Sequence, residues 1–282
     1  MLSCSRVFNL LLNNLQPGNG SLVPMKILFI GDIVGQGGRT AVHRLLPEIV
    51  REYGIDFCIA NGENAAGGLG ITPQIAQQLL EDRIDVITSG NHIWDKKEIL
   101  DFISTERRLL RPANYPKAPG HSAEVYTAES GEKVGVLNLS GRIYMAPLEC
   151  PFRTALVKIS ELQRECSTII VDFHAEATSE KQAMGWYLDG EVSAVVGTHT
   201  HVQTADATIL PKGTAYVTDV GMTGPFDSVI GIEKDIAIQK FLTQMPYKFQ
   251  VAKTDLRLSG VVIEVESSTG LARNIQRLQI SL

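Results

Sequence analysis

Cysteine is scarce in this chain and poorly placed for cross-linking. The four residues Cys4, Cys58, Cys150 and Cys166 form no CxxC pair, and their spacings resemble neither a zinc knuckle nor a disulfide framework. That pattern fits a reducing, cytoplasmic location, and Cys58, inside an apolar run, reads as a buried thiol. Long apolar runs are missing too. Leu10–Leu12 is broken at once by Asn13 and Asn14, far too short to span a bilayer. Without a clear small-residue cleavage site it is also a poor export signal, so no membrane association is expected. Excess positive charge is absent: 26 Lys and Arg stand against 31 Asp and Glu, a net charge of -5. An extended RNA groove is therefore not expected, although direct RNA contact is left open. A small phosphate substrate is not excluded, because bound cations can reverse the local field. Finally, the glycine-rich segment GDIVGQGG lacks the G-x-G-x-x-G spacing and no G-K-[ST] follows it, which removes both nucleotide-loop readings.

What is present is a chain of 282 residues, 44% hydrophobic and 20% charged, enough for one large α/β domain with a substantial core. Residues 1–24 read as a disordered extension or a misassigned start ahead of Met25-Lys26, and residues 25–282 as the domain. The pattern predicts strands over Lys26–Ile30, Asp56–Ala60 and Asp85–Thr88. Between them fall helices over Arg39–Tyr53 and from Thr72-Pro73 to about Asp82, the second with Thr as N-cap and Pro as first helical residue. Asp95 is expected to cap a further helix. After a Pro-rich break come strands at 125–127 and 134–139, a helix at Arg153–Arg164 and a strand at Thr168–Asp172. A helix at Ser179–Leu188 follows, with a Ser179/Gln182 capping box, and then a strand at Val192–Val196. Strands at Ala215–Thr218, Lys248–Ala252, Ser259–Val265 and Ile275–Ile280 end the chain. This order implies mixed sheets covered by helices.

Five strand-like runs end in polar residues of metal-ligand type: Gly31-Asp32, Gly62-Glu63-Asn64, Gly90-Asn91-His92, His174 and His199-Thr200-His201. In open α/β sheets ligands bind beyond the carboxyl ends of the strands, so residues remote in sequence would converge there. Each run has an ordinary explanation as well: a cap or turn for Asp32, an Asx turn for Asn64, a loop histidine for His92. Their combination is what carries weight. A carboxylate such as Glu63 can bridge two cations, Asn64 and Asn91 offer neutral oxygens, and His199 and His201 point the same way on an extended segment. Imidazole with carboxylate suits Fe, Zn, Mn or Co better than Mg or Ca alone. His92, beside Asn91, could deliver a proton to substrate, since an ordinary imidazole titrates at about pH 6.5. His43 and His121 read as incidental.

The order D…GEN…GNH…H…GTHTH resembles the calcineurin-like metallophosphoesterase superfamily. Its segments KILFIGDIVGQGGR, ANGENAAGGLGITP, ITSGNHIWD, DFHAEATSEK, VGTHTHVQTAD and TDVGMTGPFDSVIG resemble more closely the YmdB-type bacterial cyclic-nucleotide phosphodiesterases. The superfamily's usual D-x-H is replaced here by Asp32-Ile33-Val34, and its bridging Asp by Glu63. The resemblance implies a four-layer α/β/β/α sandwich with mixed β-sheets. It also implies two divalent or mixed-valence metal ions, with Fe first and Mn or Zn as alternatives. Asp32, Glu63, Asn64 and His201 would hold one metal; Glu63, Asn91, His174 and His199 the other; His92 would be the proton donor. The implied reaction is hydrolysis of cyclic nucleotides, 2',3'-cyclic first, by a hydroxide held between the metals. A 5'-nucleotidase or phosphoprotein phosphatase, or a regulatory RNA-associated protein, stand as alternatives. A homo-oligomer, dimer or tetramer, is a further expectation. The loops Gly141–Arg153 and Gly221–Gly231 are expected to shape the pocket, with Arg142 and Arg153 on phosphate and Phe226 against a base.

Overall fold

The computed structural model describes residues 24–282, so the reading of the first 24 residues falls almost wholly outside the described part. β1 (Met25–Ile30) leads through the two-residue β2 (Asp32–Ile33) into α1 (Gly35–Tyr53). β3 (Phe57–Asn61), α2 (Pro73–Glu81) and β4 (Val86–Thr88) continue the strand–helix alternation, followed by a 3₁₀ turn over Asn91–Trp94 and the short α3 (Ile99–Ile103). The middle of the chain supplies β5 (Ala123–Thr127), β6 (Lys133–Ser140), α4 (Pro151–Leu162), β7 (Thr168–His174), α5 (Thr178–Tyr187) and β8 (Ala194–Thr198). The last part adds β9 (Thr208–Ile209), β10 (Ala215–Val217), β11 (Met222–Pro225), α6 (Lys234–Thr243) and the long hairpin of β12 (Leu256–Glu266) and β13 (Leu271–Ser281).

These strands form two mixed sheets. The first runs β2-β11-β12-β1-β3-β4 with β13 beside β12; the second runs β5-β6-β7-β8-β10-β9. β1, β3 and β4 are parallel, as are β6, β7, β8 and β10, while β12 pairs antiparallel with β1. Period-two alternation explains the layering. Ile27 and Phe29 of β1 pack with Val136, Ile170 and Val196 of the opposite sheet, whereas Leu28 and Ile30 pack with Val42, Leu46 and Leu79 of the helices. A third core joins Leu137, Ile169 and Val171 to Ile159 of α4 and Met184 of α5. Helix, sheet, sheet, helix is therefore the order of layers. Burying each large side chain in these cores contributes about 1.5–3 kcal/mol. Among the described residues no helix is long and apolar enough to cross a membrane.

Local signals decide some boundaries and fail at others. Thr72 caps α2, its Oγ1 accepting from Ile75 N at 3.3 Å, with Pro73 as first residue. By contrast α1 starts four residues before the expected Arg39. Its glycines look like breakers, yet a side chain at Gly38 would put Cβ 2.4 Å from the Thr223 carbonyl, so close packing against β11 selects glycine there. Asp95 caps no following helix: it ends the 3₁₀ turn, and α3 begins at Ile99. The Ser179/Gln182 box is not formed either, because α5 begins at Thr178 with Ala177 as an N-cap lacking a side-chain bond. The strand expected at 248–252 is a single bridge from Val251 to Ile232; among the described residues no neighbouring strand extends it into a ladder.

Candidate active site

β1, β3 and β4 in one sheet, and β7 and β8 in the other, bring their carboxyl ends to the same end of the sandwich. Asp32 follows β1 after Gly31, Glu63 and Asn64 follow β3, and Asn91 and His92 follow β4. His174 is the last residue of β7, and His199 and His201 follow β8. All eight residues join one contiguous set of contacts. Glu63 Oε1 lies 3.1 Å from His174 Nε2, and Asn91 Oδ1 lies 3.2 Å from the same nitrogen. His199 Nδ1 is 3.0 Å from it. Asn64 Nδ2 meets both Glu63 Oε1 at 3.2 Å and His201 Nε2 at 3.0 Å. Asp32 Oδ2 accepts from His199 N at 3.2 Å, and Glu63 Oε2 accepts from His92 N at the same distance. His43 and His121 lie elsewhere, paired with Asp82 and Glu124.

The electrostatics are those of buried groups that need compensation. Asp32, Glu63 and His174 are essentially without solvent contact. Burial pushes the Asp32 carboxyl up from its ordinary value, against the pull of His201 and His174, and its Oδ1 has no hydrogen-bond partner among the described residues. A buried carboxylate oxygen left without a donor is costly. Burial would also lift Glu63 and depress His174, but their contact outweighs it, drawing Glu63 down to about 2 and His174 up to about 9. His199 is pushed down to about 3, first by burial and then by His174. One carboxylate oxygen of Glu63 and one ring nitrogen each of His174 and His199 lie within 4.8 Å of one another, a spacing that one cation can satisfy. The orphaned Asp32 oxygen and this N/O donor set both fit a transition-metal cation.

The ligand-type residues rest on side chains that sequence patterns had not marked. Asp172, fully buried in β7, accepts from Thr198 Oγ1 at 2.7 Å, Thr88 Oγ1 at 2.5 Å and Asn61 Nδ2 at 3.0 Å. Since the Thr198 hydrogen is committed to Asp172, Thr198 Oγ1 accepts from His174 Nδ1 at 2.9 Å, which turns Nε2 toward Glu63. A second support lies under the GTHTH turn. His199 and His201 both adopt positive-φ backbone, φ 98° and 64°, a region few non-glycine residues enter, so the extended segment expected for them is not formed. Between them Thr200 donates through N and Oγ1 to Asp219 Oδ2 at 3.1 and 2.6 Å. Asp219 in turn is paired with the equally buried Lys181 at 2.7 Å. Exposed partners complete the set: Glu176 Oε2 is 3.0 Å from His199 Nε2, and Asp95 Oδ2 is 2.8 Å from His92 Nδ1. The Asp95 that sequence spacing marked as a helix cap instead orients a histidine. Gly90 is required by contact, since a Cβ there would lie 2.2 Å from the His174 ring and 2.3 Å from Glu63 Oε2.

The cluster opens into a cavity of about 480 Å³, whose lining includes Glu63, Asn64, His92, Glu176, His199 and His201. The same cavity is also lined by Val34, Leu69, Ile230, Ile232, Phe249 and Val251. Arg142, Arg153 and Phe226, expected at the pocket, are not among the lining residues. Both arginines are exposed on the surface, and Phe226 is covered by the Arg257 guanidinium at 4.8 Å. That aromatic ring already has a partner, and the loop carrying it turns the neighbouring Ile230 to the cavity instead.

Two facing mixed sheets between helices, with the polar residues gathered where parallel strands end, are the architecture of a calcineurin-like phosphoesterase sandwich. Within that class, the model for the YmdB-like protein family matches residues 28–278, and the chain belongs to that family. It is 50% identical over 257 residues to the 2',3'-cyclic-nucleotide 2'-phosphodiesterase of Bacillus subtilis, covering 91% of this chain and 97% of that protein. A solved structure of a hypothetical protein from Thermus thermophilus superposes with a TM-score of 0.85 at 42% identity, covering 91% of this chain and 99% of the other. A phosphatase from Mycoplasma pneumoniae does so with a TM-score of 0.86 at 36% identity, covering 92% and 94%.

Proposed function

We propose that this protein is a dinuclear-metal phosphodiesterase acting on 2',3'-cyclic nucleotides. The observation that carries the reading is the continuous cluster of eight side chains, five of which line the cavity, with an orphaned, fully buried oxygen on Asp32. The half-identical Bacillus subtilis relative supplies the substrate class. Asp32, Glu63, Asn64 and His201 would hold one cation and Glu63, Asn91, His174 and His199 the other, with Glu63 common to both. Iron is the first choice for the pair, then manganese or zinc. Such cations, when bound, lower the pKa of a coordinated water and offset phosphoryl charge.

The chain's own residues then have defined tasks. The relay from Asp172 through Thr198 holds the His174 ring with Nε2 toward Glu63, where it would meet a bound cation, the outer-sphere arrangement that fixes ring orientation. Glu176 does the same for His199. Asp95 engages Nδ1 of His92, which leaves Nε2 as the nitrogen that meets substrate. As the attacking oxygen joins phosphorus and the P–O bond to the ribose breaks, His92 Nε2 gives its proton to the departing ribose oxygen.

Hydrolysis of 2',3'-cyclic, 3',5'-cyclic and linear nucleotides by protein purified without added metal, with its metal content measured, tests this. Turnover of 2',3'-cyclic nucleotides with two metals per chain is expected. Inert cyclic nucleotides with an active linear phosphomonoester would overturn the substrate and favour a phosphatase, as the Mycoplasma pneumoniae relative is described. One metal per chain would overturn the dinuclear assignment.

A further inference from the structure

We infer that the apolar side of the cavity is a nucleobase subsite that takes the base by stacking and burial and does not read its hydrogen-bond pattern; this rests on the proposed cyclic-nucleotide reading. The cavity, at about 480 Å³, lies in the range of small-ligand sites. Its lining is of two chemical kinds: carboxylate and imidazole groups, and aliphatic and aromatic carbon. Leu69, Ile230 and Phe249, all in this lining, are 45, 48 and 43% exposed, a concentration of large apolar groups that marks a binding surface.

Each of the three is presented by a backbone built for it. Leu69 stands among Gly67, Gly68 and Gly70, all at positive φ. Ile230 is at φ 47°, a conformation rare for a β-branched residue. Its carbonyl accepts from His201 Nδ1 at 2.9 Å, so one residue both orients a histidine of the polar side and offers its side chain to the apolar side. Phe249 hangs on the same turn: Glu233 N donates to the Gln250 carbonyl and Ala252 N to the Gly231 carbonyl, both at 2.9 Å. The apolar wall is thereby fixed at a set distance from the polar cluster, as an amphiphilic substrate with a phosphate at one end and a flat ring at the other requires. Lys240 Nζ lies 4.1 Å over one face of Phe249, so a stacked base takes the other. Gln250 is the one side chain on this wall with amide groups. A single flexible amide cannot distinguish four bases, whereas every base has a face to stack.

The test compares kcat/KM for 2',3'-cyclic AMP, GMP, CMP and UMP with that for methyl ribofuranoside 2,3-cyclic phosphate, which has no base. The four nucleotides are expected within about tenfold of one another, and each above the base-less substrate by about ten- to a hundredfold, the range of aromatic stacking. Phe249→Ala should shrink that preference about tenfold and Leu69→Ala severalfold. Because both substrates are measured on one preparation, partial misfolding cancels in the ratio. A wild-type preference near one, an unchanged ratio in Phe249→Ala, or a more than hundredfold choice of one base would each overturn the subsite. If no cyclic phosphate is hydrolysed, the catalytic reading has failed and the subsite is judged separately. Calorimetric affinities of adenosine 3'-monophosphate and ribose 3-phosphate for wild type and Phe249→Ala then decide it by the same ratio.

Discussion

The polar cluster that forms and underlies the floor of the cavity draws its side chains from the ends of β1, β3, β4, β7 and β8, while the apolar wall draws its from loops at 67–70, 230–232 and 249–251. On the floor Asp32, Glu63 and His174 are buried and bound into a network reaching two layers deep, to Asp172 and Asp219. On the wall Leu69, Ile230 and Phe249 are open; Leu69 is held in the glycine turn at 67–70, and Ile230 and Phe249 by backbone hydrogen bonds at a second turn. The contrast teaches how rigidity is distributed. Charged groups in low dielectric must be over-determined, because each unpaired one is costly. A surface that takes a base by burial needs only shape, so it can be carried on loops.

Changes to the floor should therefore cost far more than changes to the wall. The largest effect is expected from Glu63→Gln. It should lower metal affinity beyond the roughly 10–100-fold typical of outer-shell changes and abolish turnover while the circular dichroism spectrum is kept. An unchanged rate would remove Glu63 from the bridging position. Next, Lys181→Met leaves Asp219 buried and unpaired. A loss of about 3–5 kcal/mol in stability is expected by denaturant titration, and retained wild-type stability would show that Thr200 alone secures the GTHTH turn.

A smaller and more selective loss is expected at Thr198. Thr198→Val breaks the relay to His174 and should weaken metal binding by about 10–100-fold, with Thr198→Ser restoring it. Equal metal affinity in both variants would remove the relay from the site. The mildest effect concerns pH in chelator-treated protein. His174 is raised from 6.5 to about 9, chiefly by Glu63 working against burial, so the folded state holds that proton more tightly than the unfolded state. Its contribution is complete below pH 6.5 and is lost as the pH rises through about 9. Below that window Asp172, raised to about 6 by burial, and His199, lowered to about 3, act in opposite directions. The melting temperature should thus fall between pH 6.5 and 9 in the metal-free wild type and stay flatter in Glu63→Gln. Equal slopes would dissociate Glu63 from His174.

Much of the floor was legible because its residues follow strands. An apolar run such as KILFI fixes a strand, and the residue that ends it must stand at the carboxyl end of the sheet. Glu63, Asn91 and His174 could be picked out for that reason. The supports beneath them could not. Asp172 sits inside an apolar strand, Lys181 on a helix, and Asp219 in a connection, with no spacing that ties them to His174 or Thr200. Phe226 was the aromatic that local sequence suggested, yet Arg257 covers it, and Phe249, some twenty residues on, faces the cavity.

By itself the sequence determined the alternation of strand and helix, the burial of both faces of the central strands, and the set of polar residues placed where strands end. Hydrophobic periodicity and turn chemistry act over a few residues, and those features need nothing longer. Only the tertiary structure decided which sheet faces which, and hence that His174 and His199 of one sheet meet Asp32 and Glu63 of the other. It decided, too, which loops close the cavity. Those choices depend on contacts between residues more than a hundred positions apart, where packing and the pairing of buried charge prevail over local preference.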